Sequence, residues 1–191
     1  MTARCLFLTH PEVVVDPSTP VTRWSLSDVG RARAHTFARV LVGQGWELIV
    51  SSEEQKAVET AEILGEALGL PVANDPELGE NDRSATGFLP PEEFERTADR
   101  FFARPDEAVR GWETAASAQR RIVAAVRRVS AAAPGRRIVF VGHGAVGGLL
   151  LGDLTDLPIS RELDQPRQGS WFAFDPTTWS TNDSWRALPE G

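Results

Sequence analysis

Cys5-Leu6-Phe7-Leu8-Thr9-His10-Pro11-Glu12 is a short apolar run that stops at a histidine. Cys5 to Leu8 has the length and apolarity of a buried strand, and Pro11 cannot continue it. His10 is therefore expected just past the strand's carboxyl end, the edge at which open α/β sheets bind ligands. A second stretch of the same form, Ile138-Val139-Phe140-Val141-Gly142-His143-Gly144, lies far along the chain. It predicts a second strand ending in a histidine.

Between these anchors, strand and helix patterns alternate. A proline-bearing loop, Glu12 to Trp24, follows His10 directly and can wall a site there. Ser27 reads as a helix N-cap, with Gly30, Ala34, Phe37, Ala38 and Leu41 on one apolar face and Arg31, Arg33, His35 and Arg39 mostly on others. Trp46 to Val50 reads as a strand. Ser51-Ser52 reads as the cap of a helix that carries Glu53 and Glu54 in its first turn and Lys56 close by. That placement lets Lys56 reach an anion at the helix start. Leu70 to Ala73 is expected to form a short edge strand. From about residue 76 to 111 the chain turns proline-rich and charged, with a helix predicted over Glu92 to Phe102. This reads as an insertion, a lid over the sheet edge. The longest helix starts at Thr114 or Ser117. A Gly/Ala/Leu-rich helix covers Gly144 to Leu154, a last strand Gly169 to Phe174, and a hairpin or tail Trp179 to Leu188. The expected architecture is a three-layer α/β/α sandwich with a mostly parallel sheet, residues 1–191 forming one domain with the inserted lid.

Bulk properties narrow the function. The 191 residues carry a formal net charge of −7 with no dominant basic stripe, which argues against a nucleic-acid partner. No apolar run approaches the roughly 20 residues of a membrane helix, and the N-terminus makes a poor signal peptide. A cytoplasmic protein with no membrane partner is expected. The one cysteine, Cys5, excludes an internal disulfide. If the ligand is an anion, the site must supply its own positive potential.

His10, His143, Lys56 and Glu80 are thus expected at one sheet edge. A metal site would need a further histidine nearby or a helical pair, and neither is present. A serine hydrolase would need a nucleophile elbow, and none is present. Covalent catalysis by an imidazole nitrogen fits the residue types: it needs an unprotonated nucleophile, donors around the transferred group and an acid for the leaving oxygen.

With these residues in this order, the chain resembles the histidine phosphatase superfamily, also called phosphoglycerate mutase-like. Leu8-Thr9-His10-Pro11-Glu12 is similar to that family's strand and Arg-His-Gly-Glu. Trp24 to Gly30 resembles its Leu-Thr-x-x-Gly helix start, and Ser51 to Ala61 the segment of its second phosphate-binding arginine. Leu78-Gly79-Glu80 resembles the acid-bearing stretch. Gly111-Trp112-Glu113-Thr114 resembles Gly-Glu-Ser, and Val141-Gly142-His143-Gly144 the second His-Gly. The resemblance implies a phosphatase acting on a small phosphorylated metabolite with no metal or other cofactor. His10 would carry the phosphoryl group, His143 would stabilise it, and Glu80 would protonate the leaving oxygen. Thr9, Lys56, Arg83 and Gly144 would bind the phosphate. A homodimer is also expected to be possible. The chain departs from the family pattern where Thr9 and Lys56 replace arginines and Pro11 replaces glycine. Losing one preorganised donor of this kind costs roughly 3–4 kcal/mol. Arg83, or secondarily Arg23, is expected to restore the charge. The alternative expectation is a catalytically weak member that binds a phosphorylated ligand or a protein partner.

Overall fold

The computed structural model describes residues 4–191. Six strands form one mixed sheet in the order β3-β2-β4-β1-β5-β6. The parallel part comprises β1 (Cys5–Thr9), β2 (Leu48–Ser51), β3 (Val72–Asn74) and β4 (Ile138–Gly142); β5 (Ser170–Phe174) pairs antiparallel with β1, and β6 (Arg186–Ala187) antiparallel with β5. The helices are α1 (Asp28–Leu41), α2 (Gln55–Leu68), α3 (Pro91–Ala103), α4 (Ala115–Ala132) and α5 (Gly144–Thr155).

The two-residue period of the strands sorts the core into two halves. Leu6, Leu8, Ile49, Val139 and Val141 pack with α1 and α2 on one face. Cys5, Phe7, Val50, Ile138 and Phe140 pack with α4 and α5 on the other. Phe101 and Phe102 of α3 join that second half, so the segment between β3 and α4 is anchored by its own apolar face. Ser27 caps α1 by accepting from Gly30 N. Gly30 has a steric role: a Cβ there would lie 2.1 Å from the Glu12 carbonyl oxygen. That contact brings the start of α1 against the chain leaving His10.

Several local expectations shift. β2 starts two residues later than the apolar run, at Leu48, and Trp46 packs into the α1–α2 core instead of pairing. The edge strand is Val72–Asn74, because Gly69 closes α2 in the left-handed region and Pro71 has no N–H for the ladder. Ser51-Ser52 does not cap α2. Ser51 still pairs with Val141, and Glu54 is the N-cap, so Glu53 and Glu54 precede the first turn. Arg33, expected off the apolar face, is fully buried. Its guanidinium donates to Glu12 Oε1 at 2.6 Å and to the carbonyls of Gln168, Gly169, Leu188 and Pro189, tying α1 to the β5–β6 side of the sheet.

The register of β1 against β4 sets the two histidines together. Thr9 pairs with Gly142, so the two strands end level and deliver His10 and His143 side by side. β4 lies between β1 and β2, so this is also where the strand order switches.

Candidate active site

His10 leaves β1 with its N–H bonded to Gly142 O at 3.2 Å. Its Nδ1 lies 2.9 Å from the Pro11 carbonyl oxygen. A carbonyl only accepts, so Nδ1 carries the ring proton and Nε2 keeps its lone pair. Burial, then the positive charge of Lys56, drives the His10 pKa down to about 4, with Arg83 adding to the shift and the Pro11 carbonyl and Glu54 opposing it. At neutral pH the ring is uncharged, with Nε2 free for reaction.

The His143 ring faces it at a centroid distance of 5.3 Å and an interplanar angle of 63°. Its Nε2 lies 2.8 Å from Ser52 Oγ and 3.4 Å from Glu54 Oε1. Its Nδ1 is buried with no hydrogen-bond partner among the described residues. Burial holds the imidazole neutral, well below its ordinary pKa, with Lys56, His10 and Arg83 reinforcing that and Glu54 opposing it.

Glu54 is the hub of the site, a role its sequence position does not announce. Its Oε2 pairs with Lys56 Nζ, and its Oε1 accepts the Glu80 amide at 2.9 Å. Burial alone would raise its carboxyl. The neighbouring His143 imidazole, the charge of Lys56 and the bonds from Lys56 and the Glu80 amide outweigh burial and hold it far below the usual carboxylate range. Lys56 is buried and also donates to Val21 O at 2.9 Å.

Glu80 sits over the start of α5. Its carboxylate accepts the amides of Ala145 at 3.3 Å, Val146 at 3.1 Å and Asn81 at 3.1 Å. The first two are orphan donors at a helix N-terminus, where a carboxylate is favoured. Arg121, paired with Glu113 at 2.8 Å, donates to the carbonyls of Glu77, Gly79 and Glu80 and so fixes this turn from behind.

His10, Lys56, Glu80, Arg83 and Gly144 line one cavity of about 480 Å³. Arg83 has no ion-pair or hydrogen-bond partner among the described residues, and its guanidinium lies over the rings of Phe94 at 5.2 Å and Trp112 at 5.7 Å. Trp24 and Trp112, which border predicted elements, line the cavity too. Arg23 is exposed in the turn Val21–Arg23 and does not line it.

Thr9, expected to bind the phosphate directly, lies behind the cavity, fully buried. Its hydroxyl accepts the Ser170 amide at 2.9 Å and donates to Gln165 Oε1 at 2.6 Å. With its oxygen engaged, the Gln165 amide presents Nε2 as a donor beside Gly144; a Cβ on Gly144 would lie 2.2 Å from it. Gln165 lines the cavity and has no motif around it that could have singled it out. Among the described residues no group of three or more His, Cys, Asp or Glu is placed to hold a metal ion, and no helix is long and apolar enough to cross a membrane.

An α/β sheet that gathers two neutral histidines, a lysine, a free arginine and a helix-capping carboxylate at its carboxyl edge is built for an anionic ligand. The family model of the histidine phosphatase superfamily (branch 1) matches residues 19–181, and the chain belongs to that superfamily. The matched span starts after His10, so the role of His10 rests on its own geometry. The chain is 28% identical over 130 residues to the uncharacterized phosphatase PhoE of Bacillus subtilis, a match that spans 68% of this chain and 64% of that protein. It is 29% identical over 157 residues to the probable phosphoglycerate mutase GpmB of Yersinia enterocolitica, covering 78% of this chain and 73% of that protein. A solved mycobacterial glucosyl-3-phosphoglycerate phosphatase in complex with inorganic phosphate is similar over 98% of both chains, with a TM-score of 0.75 and 25% identity.

Proposed function

We propose that this protein is a metal-independent phosphomonoesterase that works through a phosphohistidine on His10. One observation carries the reading: the hydrogen bond from His10 Nδ1 to the Pro11 carbonyl leaves an uncharged Nε2 at the cavity, beside Lys56 and Arg83. In the first step, with Glu80 protonated in the complex with the anionic ester, Nε2 attacks phosphorus, the bond from phosphorus to the ester oxygen breaks, and Glu80 passes its proton to that oxygen. In the second, water attacks the phosphorus, the N–P bond breaks, phosphate leaves, and Glu80 recovers the proton from the water.

Lys56, Arg83 and the Gln165 amide supply donors to the phosphoryl oxygens in place of the family's arginines. Thr9 contributes by orienting Gln165. His143 Nδ1, unpartnered among the described residues, is the natural donor for one further oxygen. The dianion favours protonation of His143, and Ser52 and Glu54 then accept from its Nε2–H. A second reading, a binding module with little turnover, is favoured by the Glu54–Lys56 pair, which spends part of the local positive charge.

Phosphate release from p-nitrophenyl phosphate in the presence of chelator separates the two. The enzyme reading expects turnover that His10→Ala abolishes. Turnover that survives His10→Ala, or none with phosphate binding intact, would sink it.

A further inference from the structure

The cavity is polar at its floor and apolar above. His10, Lys56, Glu80, Asn81, Arg83 and Gln165 form the polar part. One wall comes from Val13, Val15, Val21 and Trp24 in the loop after β1, and the other from Phe88 and Phe94 in the segment between β3 and α4. Trp24 and Phe88 meet with ring centroids 5.9 Å apart. The Trp24 indole N–H is spent on the carbonyls of Asp16 at 2.9 Å and Thr19 at 3.1 Å, so it offers the cavity a ring rather than a donor. The Trp112 indole N–H is likewise spent on Thr86 Oγ1 at 2.8 Å.

The cations at the mouth are committed as well. Arg161 pairs with Glu95, Asp99 and Asp164, and Arg167 with Glu12 and Glu190. Asn81, Gln165 and Gln168 also line the cavity, and Asn81 Nδ2 has no partner among the described residues, but a hydroxyl set against Val13, Val15, Val21, Trp24, Phe88 or Phe94 would lose its water and gain no bond from those side chains. A hydrocarbon or ring would gain by the same desolvation.

We infer that the preferred substrate is a phosphate monoester of an apolar alcohol, alkyl or ring-bearing, with its phosphate on the His10 floor and its hydrocarbon against Trp24, Phe88, Phe94 and Trp112. This inference rests on the phosphomonoesterase reading, and deepens it by naming the substrate class. It is tested with two homologous series on the full chain. In the first, kcat/KM is measured for methyl to octyl phosphate, whose leaving alcohols differ little in acidity, with glycerol 1-phosphate and glucose 6-phosphate as polar comparators. In the second, the matching alkylphosphonates, which cannot be hydrolysed, are titrated by calorimetry.

The expected result is a gain of roughly two- to fourfold per methylene in both series until the chamber is filled. Both polar comparators should fall below butyl phosphate. Phe88→Ser, a half-buried loop position, should flatten both slopes, and Phe88→Trp should restore them. Slopes of zero with efficient glucose 6-phosphate turnover would overturn the inference and leave the phosphatase intact. Chain-length-dependent phosphonate binding without release of phosphate from any ester would overturn the phosphatase and leave the apolar chamber. Absence of both would overturn both.

Discussion

Arg83 gives the sharpest test of the proposal that the pocket makes up for the family arginines replaced by Thr9 and Lys56. Arg83→Met keeps the apolar stem and removes the guanidinium. The structure separates what this costs in stability from what it costs in function. Arg83 holds no ion pair among the described residues; its contacts are the faces of Phe94 and Trp112. Each such contact contributes about 0.5–1 kcal/mol at a partly exposed site, so the variant should lose only about 1–2 kcal/mol of stability. If the guanidinium binds the transferring phosphoryl group, its removal costs roughly 3–4 kcal/mol, or about 10²–10³ in kcat/KM. The acid limb of the pH profile should move as well. The Arg83 charge helps hold the His10 pKa down near 4, so without it the nucleophile protonates at a higher pH and activity fades sooner on acidification. The assay is kcat/KM for p-nitrophenyl phosphate from pH 3 to 8, with inhibition by inorganic phosphate and urea denaturation alongside. Arg83→Lys, which keeps a charge but not the fork, should recover part of the loss. A variant within about twofold of the parent in kcat/KM and phosphate inhibition, with an unmoved acid limb, would refute the compensation.

Three other outcomes rest on the same geometry. Glu54→Gln leaves Lys56 buried without its counter-charge and should cost about 3–5 kcal/mol in urea denaturation; adding Lys56→Met should restore much of that stability and none of the activity. Arg33→Met removes the buried partner of Glu12 and strands the carbonyls of the β5–β6 side, so it should destabilise by several kcal/mol, on the order of 3–5, although Arg33 does not itself line the cavity. Stability should depend on pH through groups shifted in opposite directions. His10 has a folded pKa of about 4 against 6.5, so between those values the unfolded chain binds more protons and stability rises with pH. Half-buried Asp164 is pushed up to about 6 from 3.8 by desolvation, so from 3.8 to 6 it acts in the opposite direction. Removing the second group with Asp164→Asn should therefore steepen the rise in unfolding free energy between pH 4 and 6, and a slope unchanged from the parent would contradict it.

The sequence makes legible whatever local pattern dictates. Two apolar runs that each stop at a histidine give two strand ends, and the alternation of elements gives the sheet that sets them on one edge. The face of α1 marked by Ala34, Phe37, Ala38 and Leu41 is buried as its period requires. The misses share a cause. Arg33 looks like one more surface arginine because its partners, Gln168, Gly169, Leu188 and Pro189, are more than a hundred residues away. Glu54 reads as a favourable acid at a helix start, yet the late start of α2 turns it toward His143 and Lys56. The place of Thr9 beside His10 suggests a phosphate contact. Strand alternation instead turns it away from the cavity, and its hydroxyl donates to Gln165. In each case tertiary pairing, which leaves no local trace, decides what the side chain does.

The most direct measurement is capture of the phosphoryl group on His10. Rapid quenching of the protein with an excess of ³²P-labelled phosphomonoester, followed by alkaline digestion and mass spectrometry, should yield an acid-labile, alkali-stable phosphate on the peptide bearing His10. His10→Ala should carry none, and Glu80→Gln should accumulate more if it slows hydrolysis more than transfer. Turnover with no label on His10, or label that persists in His10→Ala, would contradict the phosphohistidine mechanism.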